Sequence, residues 1–142
     1  MSVDQEQEWH ELLRRANQAR AAAYAPYSRF AVGAAVLTSD GRCFTGCNVE
    51  NASYGLTICA ERVAAAAAVA AGARELRAVA VVAEPVAFPC GACRQFLDEF
   101  ASPQGLMVVV GTRRGEIVAV HALHDLLPQS FGGPRRRDED QD

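Results

Sequence analysis

Four residues of this chain stand out by type and spacing: Cys59, Glu61, Cys90 and Cys93. Cys90 and Cys93 form a Cys-x-x-Cys pair directly after Pro89, and Cys59 heads another segment with Glu61 two residues on. Three thiolates can hold one Zn²⁺ at about 2.3 Å each and leave the fourth tetrahedral corner to water, the ligand count of a catalytic site. Water on such a metal ionises near neutral pH, and a neighbouring carboxyl group can take and return its proton. Zinc with three thiolates is formally anionic, which weakens its power to acidify that water, so donors that draw charge off the sulfurs are expected. Arg62 follows Glu61 and Arg94 follows Cys93, and both are candidates for that task.

The chain has five cysteines, an odd number that excludes a complete set of internal disulfides and leaves metal ligands or buried thiols. A closed four-sulfur structural site is the competing reading, with Cys43 or Cys47 as the fourth ligand. It leaves Glu61 without a task. Cys43 and Cys47 fit better as small half-buried side chains.

Two helices must begin at these motifs. Residues 60–71 are alanine-rich and closed by Gly72, and residues 91–100 follow Pro89, so both segments are predicted helices. Their positive N-terminal dipole ends favour thiolates at Cys59 and Cys90. Upstream, residues 4–24 place Trp9, Leu12, Leu13, Ala16 and Ala19 on one helical face, with Asp4 and Gln7 as a capping box and Pro26 as the stop. Residues 30–38 and 42–49 read as strands joined by a turn at Asp40 and Gly41, and residues 51–57 as a loop. Residues 77–83 are almost wholly apolar, as in a strand buried on both faces. Strands at 106–112 and 116–122, with a turn near Gly115, and one helical turn at 123–127 complete the order α-β-β-α-β-α-β-β-α. That order predicts an α/β fold, with helices on both faces of one mixed sheet, formed as a single domain over residues 1–131. Residues 132–142 are expected to be a frayed charged tail.

Half of the 142 residues are apolar and 22% are charged, a balance that supports a packed core. The formal charge is -3 and all 14 basic residues are arginines, which argues against bulk attraction to nucleic acid. The triplet Arg135-Arg136-Arg137 is cancelled by Asp138, Glu139 and Asp140. No apolar run approaches the roughly 20 residues that cross a bilayer. Asp4, Glu6 and Glu8 are the opposite of a basic secretory leader, so a cytoplasmic location with reduced thiols is expected.

Cys59-Ala60-Glu61 with Pro89-Cys90-Gly91-Ala92-Cys93 resembles the three-cysteine form of the zinc nucleobase deaminase motif. Pro26-Tyr27-Ser28-Arg29-Phe30, Gly46-Cys47-Asn48-Val49-Glu50-Asn51-Ala52-Ser53-Tyr54-Gly55 and Cys90-Gly91-Ala92-Cys93-Arg94-Gln95 are similar to the small homotetrameric cytidine deaminases. The likeness runs from about Trp9 to Phe131. It implies a three-layer α-β-α fold with a five-stranded mixed sheet and one Zn²⁺ per subunit on Cys59, Cys90 and Cys93. The implied reaction is hydrolysis of cytidine and 2′-deoxycytidine to uridine and 2′-deoxyuridine plus ammonia, in pyrimidine salvage. Zinc-bound hydroxide would attack C4 of the cytosine ring, with Glu61 as proton shuttle.

By the same resemblance, Asn48 and Glu50 hold the ribose 3′-hydroxyl, Phe30 lines the pyrimidine pocket and Ala60 contacts substrate. Gln95 joins Arg62 and Arg94 around the ligands. Phe131 packs on the base from a neighbouring subunit and Tyr54 reaches toward an adjacent site, so the homotetramer shares its active sites. Three other readings compete: a deaminase of aminoacyl-nucleoside antibiotics, a polynucleotide editor and a non-catalytic zinc module. Asn48, Glu50 and residues 51–55 weigh against the first, and the acidic balance weighs against the second.

Overall fold

The computed structural model describes residues 1–132, so the tail expected at 132–142 lies, apart from Gly132, outside the described residues. The elements are α1 (Val3–Arg20), β1 (Val32–Thr38), β2 (Cys43–Cys47), a 3₁₀ turn (Tyr54–Leu56), α2 (Ala60–Ala70), β3 (Leu76–Ala83), α3 (Gly91–Glu99), β4 (Met107–Gly111), β5 (Ile117–Ala122) and α4 (Leu123–Leu126). They form one five-stranded sheet in the order β2-β1-β3-β4-β5. β3 and β4 are parallel and the other neighbours antiparallel, so the sheet is mixed as predicted.

The two faces of the sheet explain the apolar run of β3. Ala78, Ala80 and Val82 meet Trp9, Leu12, Leu13 and Ala16 of α1 on one side. Val79 and Val81 pack with Ala60, Ala64, Ala65 and Ala68 of α2 and Leu97 of α3 on the other. Alternating residues are buried against different helices, and the three-layer arrangement follows. Gly72, at φ +101, closes α2 in the conformation that only glycine adopts freely.

Several boundaries differ from the sequence reading. Ser2 caps α1, its Oγ accepting from Gln5 N at 3.1 Å, in place of the box expected from Asp4 and Gln7. The helix stops at Arg20, before the predicted Tyr24, because the backbone of Tyr24 is tied to a neighbouring segment. Its N–H donates to Asn48 O at 3.0 Å and its carbonyl accepts from Glu50 N at 2.9 Å. β1 starts at Val32 and not at Phe30, since Arg29, at φ +59, turns the chain just before it. Among the described residues no helix is long and apolar enough to cross a membrane.

α1 is also held by charge. Arg77, at the start of β3, donates to both carboxylate oxygens of Glu8 at 2.7 and 2.8 Å and holds that carboxyl below its ordinary range. A lowered carboxyl pKa adds stability above the unfolded value, and the gain disappears as pH falls through the folded one. Both side chains remain 37% exposed, so Glu8→Gln is expected to cost no more than about 1 kcal/mol at pH 7. Urea unfolding at neutral pH should show that loss, and the variant and parent should converge in acid.

Candidate active site

Distant parts of the sequence meet around residues 48–50. Val49 and Ile58 exchange two backbone hydrogen bonds of 2.9 Å, and the same segment pairs with Tyr24 on its other edge. The chain then runs from Ile58 straight into Cys59, so the Asn48–Glu50 pair is stitched beside the start of α2.

Cys59 and Cys90 are the N-cap residues of α2 and α3, and neither side chain caps its own helix. Their sulfurs face each other at 3.9 Å, and Cys93, in the first turn of α3, lies 3.5 Å from Cys90 Sγ. Tetrahedral bonds of about 2.3 Å separate two sulfurs by about 3.8 Å, so this triangle fits one Zn²⁺. Among the described residues no further Cys, His, Asp or Glu joins the group, and Cys43 packs instead toward α1. The closed four-sulfur reading therefore lacks its fourth ligand.

Glu61 sits in the first turn of α2, only 4% exposed, and burial pushes its carboxyl above the usual range. The charge of Cys59 pushes the same way, and a hydrogen bond with Cys93 works against it, which places the acid beside the sulfurs and away from bulk solvent. The Cys59 thiol is lowered to about 5, first by its hydrogen bond with Cys93 and then by Arg62. That bond and burial push the Cys93 thiol upward. Arg62 Nη2 lies 3.6 Å from Cys59 Sγ, as the charge argument requires.

Arg94 departs from the expectation. Its Nε donates to Pro89 O at 2.8 Å and its Nη1 to Leu126 O at 2.9 Å, so it serves two carbonyls and no thiolate. Side chains on a helix lean toward its N-terminus, and there Arg94 meets the carbonyl of Pro89 just before α3. Gln95 donates to Phe131 O at 3.1 Å. Asp98, which the sequence reading passed over, accepts from Ser130 Oγ at 2.7 Å. Positions 94, 95 and 98 thus bind the segment 126–131 to α3. Asp98 stands three residues after Gln95 and four after Arg94, and that spacing was the available signal.

Asn48 and Glu50 both turn to the segment 27–32. Asn48 Nδ2 donates to Phe30 O at 2.7 Å and its Oδ1 accepts from Val32 N at 2.9 Å. Glu50 Oε1 accepts from Tyr27 N and Ser28 N at 2.9 and 3.1 Å. Phe30 is half-buried, whereas Tyr54 is 92% and Phe131 83% exposed. Ala60 is fully buried against the sheet, backbone included.

A family model described as the cytidine and deoxycytidylate deaminase zinc-binding region matches residues 6–110. The chain belongs to this cytidine deaminase family. A cytidine deaminase of Halalkalibacterium halodurans is 50% identical over 123 residues, covering 84% of this chain and 91% of that protein. The cytidine deaminase of Mycobacterium tuberculosis is 48% identical over 127 residues, covering 88% of this chain and 90% of its own. The crystal structure of cytidine deaminase from Burkholderia pseudomallei is similar with a TM-score of 0.79 at 48% identity, covering 92% of this chain and 100% of that one.

In this member of the cytidine deaminase family, Gly46 of β2 sets how closely α2 approaches the sheet. A Cβ there would lie 2.5 Å from Ala64 N and 2.7 Å from Ala60 O, nearer than such atoms can come. Gly46→Ala is expected to push the first turn of α2, which carries Glu61 and follows Cys59, outward by about 1 Å to restore contact near 3.5 Å. Stability should fall by about 1–3 kcal/mol. Turnover should fall by about 10²-fold, because reacting groups tolerate little misplacement. Urea unfolding and steady-state kinetics on one preparation check both.

Proposed function

We propose that this chain hydrolyses cytidine and 2′-deoxycytidine to uridine and 2′-deoxyuridine, releasing ammonia, as a zinc enzyme of pyrimidine salvage. One observation carries the reading: a three-sulfur group at two helix N-termini lies beside a buried carboxyl group. Cys59, Cys90 and Cys93 hold the metal. Bound Zn²⁺ supplies acidified water as nucleophile at neutral pH.

Glu61 moves the protons. It takes one from the attacking water and delivers it to N3 as C4 becomes tetrahedral. It takes the second from the new C4 hydroxyl and gives it to the amino group, which leaves as ammonia while C4=O forms. Burial raises its carboxyl above the ordinary range, so it accepts a proton more readily than an exposed one. Arg62 draws charge from Cys59.

Substrate recognition falls to the segment beside α2. Asn48 and Glu50 each keep spare hydrogen-bonding capacity beyond the bonds described, enough for a sugar 3′-hydroxyl, and neither is needed for the 2′ position. Phe30 lines the pyrimidine site, and Ala60 at the start of α2 contacts substrate beside it. The high exposure of Tyr54 and Phe131 suits contacts with neighbouring copies in a homotetramer. Arg94 and Gln95 support the second of these through segment 126–131. Residues 1–131 act as one deaminase domain, in the cytoplasm, where the thiols stay reduced.

Metal analysis joined to an ultraviolet assay with cytidine on the same sample tests the proposal. One zinc per chain and conversion of cytidine to uridine are expected. Zinc-loaded protein that leaves cytidine unchanged would overturn it.

A further inference from the structure

The loop between α1 and β1 is organised around a residue that has no role in the scheme above. Ser28 Oγ donates to Glu50 Oε2 and accepts from Phe30 N at 3.0 Å. The backbone N–H of Ser28 and that of Tyr27 donate to the other oxygen of the same carboxylate. Between Ser28 and Phe30, Arg29 is held at φ +59, a left-handed conformation that few residues other than glycine adopt. A hydroxyl that accepts from the N–H two residues on is the device that stabilises such a turn. Loop geometry, the Glu50 carboxylate and the backbone of Phe30 therefore share one hydroxyl group.

The acceptor count gives this arrangement a consequence for substrate. A carboxylate offers about four lone-pair directions, and Glu50 uses three on Tyr27 N, Ser28 N and Ser28 Oγ. One direction, on Oε2, is left, and the Ser28 hydroxyl beside it determines where it points. The same hydroxyl anchors the N–H of Phe30, while Asn48 holds the Phe30 carbonyl at 2.7 Å.

We propose that Ser28 is a positioning residue for the deamination, orienting Glu50 toward the sugar 3′-hydroxyl. This rests on the proposed sugar-binding role of Glu50. Ser28 is exposed and outside both cores, so replacing it leaves the scaffold intact.

The test compares the parent, Ser28→Ala and Ser28→Thr, each loaded with zinc, on cytidine and on 2′,3′-dideoxycytidine, which lacks the 3′-hydroxyl. Ser28→Ala is expected to raise KM for cytidine about tenfold or more, the effect of losing a hydrogen bond to a charged group. Zinc content, Tm and kcat should stay near the parent's. KM for 2′,3′-dideoxycytidine should change much less, so discrimination between the two substrates falls, and Ser28→Thr should restore it. If Ser28→Ala keeps the parent's discrimination, or raises both KM values equally, Ser28 only shapes the loop and the proposal fails alone. If the parent itself does not discriminate, the sugar-binding role of Glu50 fails and takes the proposal with it.

Discussion

Glu61→Gln is expected to lower kcat by about 10²–10⁴-fold, the contribution of a positioned proton-transfer group, while zinc content stays at the parent's level. The exchange preserves shape and removes only the ability to take and return a proton. The carboxyl is not one of the three groups that gather as ligands, so the metal site is left whole. Asn48 and Glu50 are untouched, and KM should change far less than kcat. Folding should not suffer, because burial penalises an ionised carboxylate more than a neutral amide at the same 4% exposure. Steady-state kinetics, metal analysis and thermal unfolding on one preparation check all four outcomes. Turnover near the parent's would remove Glu61 from the chemistry.

Cys93→Ala should abolish both zinc binding and activity while leaving the fold in place. Cys93 is fully buried in the first turn of α3, 3.5 Å from Cys90, and no fourth sulfur stands near to replace it. Two sulfurs cannot complete the coordination that a catalytic zinc needs. The sheet and its two apolar cores are assembled without the metal group, and alanine is the best helix former. Far-ultraviolet circular dichroism should therefore match the parent's, with zinc well below one per chain and turnover at background. Stoichiometric zinc in the variant would mean that another residue completes the site. Cys43→Ala, on the α1 side of the sheet, is the matched control and should keep both zinc and activity.

The order of elements and the Cys90–Cys93 pair were legible in the sequence because both depend on near neighbours along the chain. Apolar periodicity marks a helix or strand whatever surrounds it, and Cys-x-x-Cys at a helix start brings two sulfurs together by local geometry alone. The link from those two to Cys59 came through resemblance, since no rule of spacing connects positions so far apart. The start of α1 was misjudged where two local caps compete, Ser2 against Asp4, and its end where the backbone of Tyr24 pairs with Asn48 and Glu50.

What only the tertiary structure decided are the partners of side chains that reach across elements. Arg62 and Arg94 look equivalent in the sequence, each beside a motif residue, yet one meets Cys59 and the other two carbonyls. Ser28 and Asp98 gain their partners, Glu50 and Ser130, only when separate segments are packed together. Gly46 matters only because α2 lies on β2 there. The physical reason is common to all of them. A residue's type and its place in a periodic pattern set what it can bond to and which face it takes, whereas packing of distant segments sets which atoms come within the 3–4 Å where that capacity is used.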